Sequence, residues 1–317
     1  MHRRFTLPMF IAALREMEVN VSIDSYRIFI EIVECESFIR AAENLYLTPP
    51  AISHAITKME KEYGVNLFVR DRNGARLTSD GEKLYPYIHA ILKGEDRLKQ
   101  EISLIKNIET GNVCIGTFSS ASKNWVPGII NSFRKDHPNV TVNLYEGGYD
   151  DIIKWISKGI TDVGFLSLTS IHDIDIDFIP LYRDPIMCIT HSEFQTIHPD
   201  RITIDDIRSE NFVYQRSGYD ADSNALLNTL GLTVSTPYSV ENDETIVALV
   251  ESGFGVSLLP QLVLEKLIYN TNVYPLEPAA YRLLGLASMK NRSQSFAVEA
   301  FKKHIIQYFH DRYGNTE

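Results

Sequence analysis

The stretch LTPPAISHAI, residues 47–56, sets two adjacent prolines directly ahead of a run with helical apolar spacing. Proline lacks a backbone N–H and its ring clashes with the preceding turn, so Pro49 and Pro50 cannot lie inside a helix or a central strand. Both are tolerated in a helix's first turn, where that N–H has no helical partner, and Thr48 is a good N-cap. A helix must therefore begin abruptly here. Ile52, Ile56, Met59 and Tyr63 share one face, and Pro50, Ser53, His54, Thr57, Lys58 and Lys61 the other. Short hydroxyl and imidazole groups at a helix start suit base edges in a major groove, and the lysines beyond suit phosphates. The same pattern also fits an ordinary surface helix.

Two short helices are predicted ahead of it. Asp24 is placed as the cap of the first, which buries Ile28, Phe29, Ile32 and Val33. Ser37 is placed as the cap of the second, carrying Phe38, Ala41, Ala42 and Leu45, and the alanine pair leaves room for close helix approach.

The segment ESFIRAAENLYLTPPAISHAITKMEKEYGVNLFVRDRNGARLTSDGEKL, residues 36–84, resembles the DNA-binding domain of LysR-type transcriptional regulators. The matching positions are Ser37-Phe38, Ala41-Ala42, Leu45, Thr48, Pro50-Ala51, Ser53, Ile56, Glu60, Gly64, Leu67-Phe68, Arg70, Leu77-Thr78 and Gly81. The resemblance implies a helix-turn-helix over 38–63 and a two-stranded wing over 67–78, turning at Asn73-Gly74. Double-stranded DNA is then the expected partner. Its contacts are expected from Thr48, Pro49, Pro50, Ser53, His54, Thr57 and Lys58 of the recognition helix and from Arg70, Arg72 and Arg76 of the wing. Pro49 stands where family members often carry glutamine, and His54 where arginine or glutamine is usual, which alters the bases that can be read. Residues 22–82 hold seven Lys and Arg against ten Asp and Glu, a formal charge of −3. Glu31, Glu34 and Glu36 cluster near the end of the first helix while the arginines gather in the wing. The field is thus expected to be asymmetric, with wing and recognition helix carrying the salt dependence. The whole chain's −10 excludes a protein that coats nucleic acid over its entire surface.

Leu84, Ile88, Ile91, Leu98, Ile102 and Ile105 recur at alternating spacings of four and three, with Glu95 the polar member of the series. That period is a coiled-coil seam between two chains, or a helix packed on its own domain. Helix-turn-helix proteins bind paired half-sites as dimers, so the expectation is a homodimer, assembled further into a tetramer. Gly111 is read as the end of this helix and the domain boundary.

From Val113 strand and helix alternate: VCIGTF, a helix over 123–136, VTVNLYE, a helix over 150–158, and DVGFLSL. A second set follows, with NFVYQ, helices over 221–230 and 244–252, GVSLLP, and a closing helix near 294–309. This argues for parallel sheet flanked by helices. The segments around Pro185 and Tyr274 are read as crossovers joining two lobes. NWVPGIINSFRKDHPNV and LVESGFGVSLLP resemble the effector domain of the same family, which is similar to type 2 periplasmic binding proteins. The expected fold class is therefore multidomain: an all-α winged helix-turn-helix with a long linker helix, then a two-lobed α/β effector domain. The expected boundaries are an extension over 1–21, the head over 22–79, the linker over 80–110 and the effector domain over 111–310. Lobe I takes 111–183 and 270–310, and lobe II 184–269.

A cleft between lobes is the natural place for a small molecule. Ser119, Ser120 and Ser122 follow the first strand, with Lys123 beside them, and Ser167 and Thr169 end another. Gln215, Arg216, Ser217 and Asn242 face them from the second lobe. Together these residues suit a carboxylate or another small anion; singly, each serine equally suits a helix cap or a turn.

An enzyme is not expected. GFGVSL lacks the third glycine of a dinucleotide fingerprint, so Gly253 and Gly255 read as a helix end and a tight turn, and no HExxH, GxSxG or Walker sequence occurs. Cys35, Cys114 and Cys188 show no CxxC or zinc spacing, which fits buried thiols in a reducing compartment, and nothing calls for a cofactor or metal. The opening MHRRFTLPMFIAALREM has the basic and apolar parts of a signal peptide. Pro8 interrupts it and Arg15-Glu16 stand where a cleavage site would fall, so a short accessory helix or initiation at Met17 is expected instead, in a cytoplasmic protein without a membrane span. A transporter's solute-binding receptor is the alternative that the two-lobed domain alone suggests, and the helix-turn-helix ahead of it argues against that reading.

Overall fold

The computed structural model describes residues 21–71, 74–105, 110–172, 175–215, 221–231, 239–240, 242–292 and 294–314. The N-terminal 20 residues with Met17, Arg72 and Asn73 of the wing, and Arg216 and Ser217 lie outside them. The chain divides into two compact units, Met1–Asp96 and Arg97–Glu317.

In the first unit the three predicted helices are α1 (Ile23–Cys35), α2 (Phe38–Asn44) and α3 (Pro49–Tyr63). The cap of α1 is Ser22, whose Oγ accepts the Ser25 N–H at 3.3 Å, so Asp24 lies in the first turn rather than at the cap. Ser37 and Thr48 cap α2 and α3 as expected, accepting from Arg40 N and Ala51 N. Ile28, Phe29, Ile32, Ala41, Ala42, Ile52, Ile56 and Met59 form one buried cluster with Leu67 and Phe68. Val33, Phe38, Leu45 and Tyr63 are only partly buried and pack against its edge.

Strands β1 (Phe68–Asp71) and β2 (Gly74–Leu77) pair antiparallel to make the wing. Its root is tied down by Glu60 of α3, whose Oε1 accepts Leu67 N at 2.8 Å and Phe68 N at 3.3 Å. Thr78 donates to Asn66 O at 2.6 Å and accepts Gly81 N at 3.0 Å. Gly81 is required by this packing, because a Cβ there would stand 2.4 Å from Leu67 O.

A single helix, α4 (Ser79–Ile105), follows. Two members of the predicted seam do not face outward: Ile88 is buried and Leu84 half-buried in the head's own core. Glu95 is engaged by Arg27 of α1 at 2.5 Å. The outward apolar row is instead Tyr87, Ile91, Leu98 and Ile102.

In the second unit one sheet runs through both lobes. The first lobe contributes β3 (Gly111–Thr117), β4 (Val140–Glu146) and β5 (Val163–Ser167), mutually parallel in the order β4-β3-β5. Gly111 thus opens a strand rather than ending the linker helix. Helices α5 (Ser119–Asn124), α6 (Val126–Asp136) and α7 (Tyr149–Lys158) flank the sheet. The predicted helix over 123–136 is two helices, interrupted at Trp125, whose indole is wholly buried.

The long strand β6 (Ile176–His191) crosses between lobes. Its first part, up to Pro185, pairs antiparallel with β12 (Tyr281–Met289), and from Ile186 it pairs with β10 (Ser257–Pro260) and β11 (Thr271–Glu277). The crossover at Pro185 is therefore found. Tyr274 lies within β11, paired with Cys188 in the second lobe, so the return crossing falls between Glu277 and Tyr281. The sheet is mixed rather than all parallel, because β6 runs antiparallel to β10, β11 and β12, and β12 antiparallel to β5.

The second lobe adds β7 (Ile202–Thr203), α8 (Ile204–Ile207), β8 (Tyr214–Gln215), α9 (Ala221–Thr229), β9 (Ser239–Val240), α10 (Asp243–Glu251) and α11 (Gln261–Leu264). The closing helix α12 (Phe296–Tyr313) packs back into the first lobe through Val298, Phe301, Ile305 and Phe309. Gly253 follows α10 with φ +76°, as a helix end should; a Cβ on Gly255 would meet Asn211 O at 2.2 Å.

Candidate functional site

On α3 the apolar face fixes the orientation, and the opposite face leaves His54, Thr57, Lys58 and Lys61 exposed. Pro49 and Pro50 are exposed in the first turn. Ser53 is half-buried because the wing reaches it: Arg70 Nη1 donates to Ser53 Oγ at 3.2 Å. The same guanidinium lies 3.8 Å from the centroid of the Phe38 ring on α2. Arg76 is exposed on β2. The predicted DNA-contacting residues among those described thus fall on one helix face and the wing beside it. Tyr46, in the turn before Thr48, adds a left-handed residue (φ +54°) that is 96% exposed, which sequence spacing did not single out.

The predicted acidic cluster is not held apart from the wing: Glu36 O accepts the Ala75 N–H of β2 at 2.9 Å. Glu31 Oε1 accepts from Asn44 Nδ2 at 2.8 Å and from the Cys35 thiol at 3.3 Å. Cys35 is half-buried, unlike Cys114 and Cys188, which are buried as expected. Burial pushes the Cys188 thiol well above its ordinary range, so it is an inert core residue.

In the effector unit, Ser119, Ser120 and Ser122 do not act as helix caps. Phe118 is the N-cap of α5 and supplies no side-chain cap. Ser122 Oγ donates to Thr117 Oγ1 at 3.3 Å, and Ser120 Oγ accepts from Arg282 Nη2 at 3.3 Å. Lys123, placed beside them for an anion, instead pairs with Glu244 of α10 at 3.3 Å, between the lobes. Asn242 caps α10, accepting Glu244 N at 2.7 Å. Gln215 closes β8, and of this residue the backbone alone is described. Ser167 and Thr169 come together, 3.1 Å apart, and both donate to Asp222 of α9 in the other lobe.

A buried charge pair was missed. Arg282 of β12 and Asp184 of β6, 3% and 0% exposed, are joined at 2.8 Å where the crossing strands run side by side. Arg282 also donates to Tyr149 Oη at 3.1 Å in the first lobe, and Asp184 Oδ1 accepts Leu262 N at 3.0 Å from α11. The signal was available in part: Arg282 is the one charged residue in YRLLGLAS, while Asp184 stands beside Arg183 at the head of the apolar run in RDPIMCIT. Among the described residues no cluster has the donors for a metal ion, and no helix is long and apolar enough to cross a membrane.

Comparison with known proteins places this geometry. Residues 23–82 match the model of the bacterial regulatory helix-turn-helix protein, lysR family, and residues 106–310 the LysR substrate binding domain. The uncharacterized HTH-type transcriptional regulator YvbU of Bacillus subtilis (strain 168) is 28% identical over 292 residues, 91% of this chain and 99% of YvbU. Among solved structures, full-length CbnR complexed with its target DNA superimposes with a TM-score of 0.65 at 18% identity, covering 90% of this chain and 99% of CbnR. The effector binding domain of QuiR in complex with shikimate does so at 0.56 and 24% identity, covering 64% of this chain and 99% of that domain.

Proposed function

The chain belongs to the LysR family of bacterial transcriptional regulators, and from that premise we propose that its head reads double-stranded DNA as a homodimer under control of a small molecule held between the lobes. The family is one of regulators, not enzymes. The observation that carries the proposal is α3, on which Thr48 fixes the start, Ile52, Ile56 and Met59 fix the rotation, and His54, Thr57 and Lys58 are left exposed beside the wing. Ser53 and His54 read base edges, while Lys58, Lys61, Arg70, Arg72 and Arg76 meet phosphates. The CbnR complex with target DNA supports the docking of such a head on a duplex.

Dimers form through the outward row of α4, and pairs of dimers make the tetramer. The effector is a small anion bound between the lobes near Ser119, Ser120, Ser122, Ser167, Thr169, Gln215, Ser217 and Asn242, and the QuiR domain with shikimate supports a small-molecule site in this fold. Its binding changes the angle between lobes and so the spacing of the DNA-bound heads. That mechanism requires unequal affinity for the two arrangements, because a ligand that binds both equally shifts neither. The protein acts in the cytoplasm on its own upstream region and a divergent neighbouring promoter.

The test is binding to upstream intergenic DNA across a salt series, wild type against Ser53→Ala and Arg70→Ala, repeated with a panel of small carboxylates. Saturable binding that weakens with salt and is weakened in both variants is expected, with one carboxylate altering the retarded complex. Binding insensitive to both substitutions would remove the DNA-reading assignment.

A further inference from the structure

Ser167 closes β5, and Thr169 stands two residues on in a short 3-10 turn, Leu168–Ser170. Both hydroxyls thus lie at the C-terminal end of a parallel strand, where ligands of such sheets bind. Both are aimed at one oxygen: Ser167 donates to Asp222 Oδ1 at 2.8 Å, and Thr169 donates to the same atom. Asp222 is 5% exposed and sits in the first turn of α9, a helix anchored in the second lobe's core through Leu227. Two hydroxyl donors converging on a desolvated carboxylate oxygen are the contacts by which a protein holds the carboxylate of a ligand.

We infer that Ser167 and Thr169 form a carboxylate-binding site that Asp222 occupies as an intramolecular ligand, and that a carboxylate-bearing effector enters by displacing it. The inference rests on the interlobe effector site proposed above. Two carboxylates cannot share these donors, because like charges so close in a partly desolvated site repel strongly. Occupancy is therefore exclusive. Displacement also breaks a link between the lobes, since Ser167 and Thr169 belong to the first and α9 to the second. A ligand that replaces Asp222 hence meets two different lobe arrangements and discriminates between them, as a regulatory ligand must.

Asp222→Ala empties the site and keeps both hydroxyls. The full-length variant is melted in acetate against chloride at constant ionic strength. Acetate is expected to raise its midpoint saturably, by about 3 °C at ten times the dissociation constant. Wild type and the triple variant Asp222→Ala/Ser167→Ala/Thr169→Ala are expected not to move. Equal shifts in either, or none in Asp222→Ala, overturn the inference. Should Asp222→Ala fold with acetate and not with chloride, the result counts the same way. Should it fold in neither, Asp222→Ser is judged by the same criteria, and its failure to respond overturns the inference. A carboxylate that changes the DNA complex of wild type and Asp222→Ala at equal concentration keeps the interlobe effector site and removes Asp222 from it. If no carboxylate changes either complex, the effector reading fails, whatever the acetate result.

Discussion

Arg70 of the wing and Ser53 of the recognition helix are bonded to each other, Nη1 to Oγ at 3.2 Å, with the guanidinium stacked on Phe38. The wing is therefore set against α3 before any DNA arrives, and the two residues act as a unit. A planar fork that stacks and donates together is not reproduced by lysine. Arg70→Lys is expected to bind DNA nearly as weakly as Arg70→Ala. Arg70→Ala should flatten the slope of log K against log salt by about 1, and Ser53→Ala should cost about 1–3 kcal/mol of discrimination for the specific sequence. Fluorescence anisotropy on specific and scrambled duplexes measures both; an unchanged salt slope in Arg70→Ala would count against a phosphate contact.

The buried Asp184–Arg282 pair gives a different kind of expectation. Removing one partner leaves an uncompensated charge in the core, which costs about 3–5 kcal/mol. Arg282→Met and Asp184→Leu are each expected to be destabilised on that scale. The double variant should be less destabilised than either single one, though not neutral, because Tyr149, Ser120 and Leu262 N lose partners worth about 1 kcal/mol each. Urea unfolding of the four proteins closes the cycle, and additive losses would show that the pair is not coupled.

Helix α4 separates two roles that its apolar spacing ran together. Leu98 and Ile102 are 61% and 43% exposed, while Ile88 is 3% exposed within the head. Leu98→Glu with Ile102→Glu is expected to convert dimers to monomers at micromolar concentration without loss of folding. Ile88→Ala is expected to leave association intact and to cost the head about 2–5 kcal/mol. Sedimentation velocity and thermal unfolding, run on both variants, distinguish the two faces; a reversed pattern would return the seam to Ile88.

The head was legible in sequence because its signals are local. Thr48 and the prolines mark a helix start whatever the rest of the chain does, and Ile52, Ile56 and Met59 were buried as their spacing required. The same locality misled at Ile88, where apolar periodicity identifies a buried face but not which partner buries it. In the effector unit the strands of the first lobe were found, yet what the side chains do was not. Ser167 and Thr169 were read as facing a ligand, and they face Asp222, 55 and 53 residues later in the chain. Pairings at that separation are set by topology, and a single sequence carries no local trace of them. Asp184 and Arg282, 98 residues apart, left a fainter sign: Arg282 is the lone charge of its apolar strand, and Asp184 stands beside Arg183 just ahead of the apolar run IMCI.

His304 of α12 lies 2.8 Å from Ser132 Oγ of α6, through Nε2. The single hydrogen of that hydroxyl is directed at the carbonyls of Gly128 and Ile129, so its oxygen accepts a hydrogen bond from Nε2–H. Burial, reinforced by nearby His137 and opposed by Asp136, holds the His304 pKa below its ordinary value of 6.5. A histidine with a depressed folded pKa contributes stability in full above the unfolded pKa and loses it as pH falls through the folded one, because the unfolded chain takes the proton first. The thermal midpoint is therefore expected to drop as the pH falls below the ordinary value of 6.5. His304→Gln keeps a donor toward Ser132 without the titration, and should flatten that drop while leaving the midpoint near neutral pH little changed. Melting both proteins across this range decides it: parallel curves would place the acid sensitivity in other groups, and a wild-type midpoint that rises on acidification would reverse the sign assigned to His304.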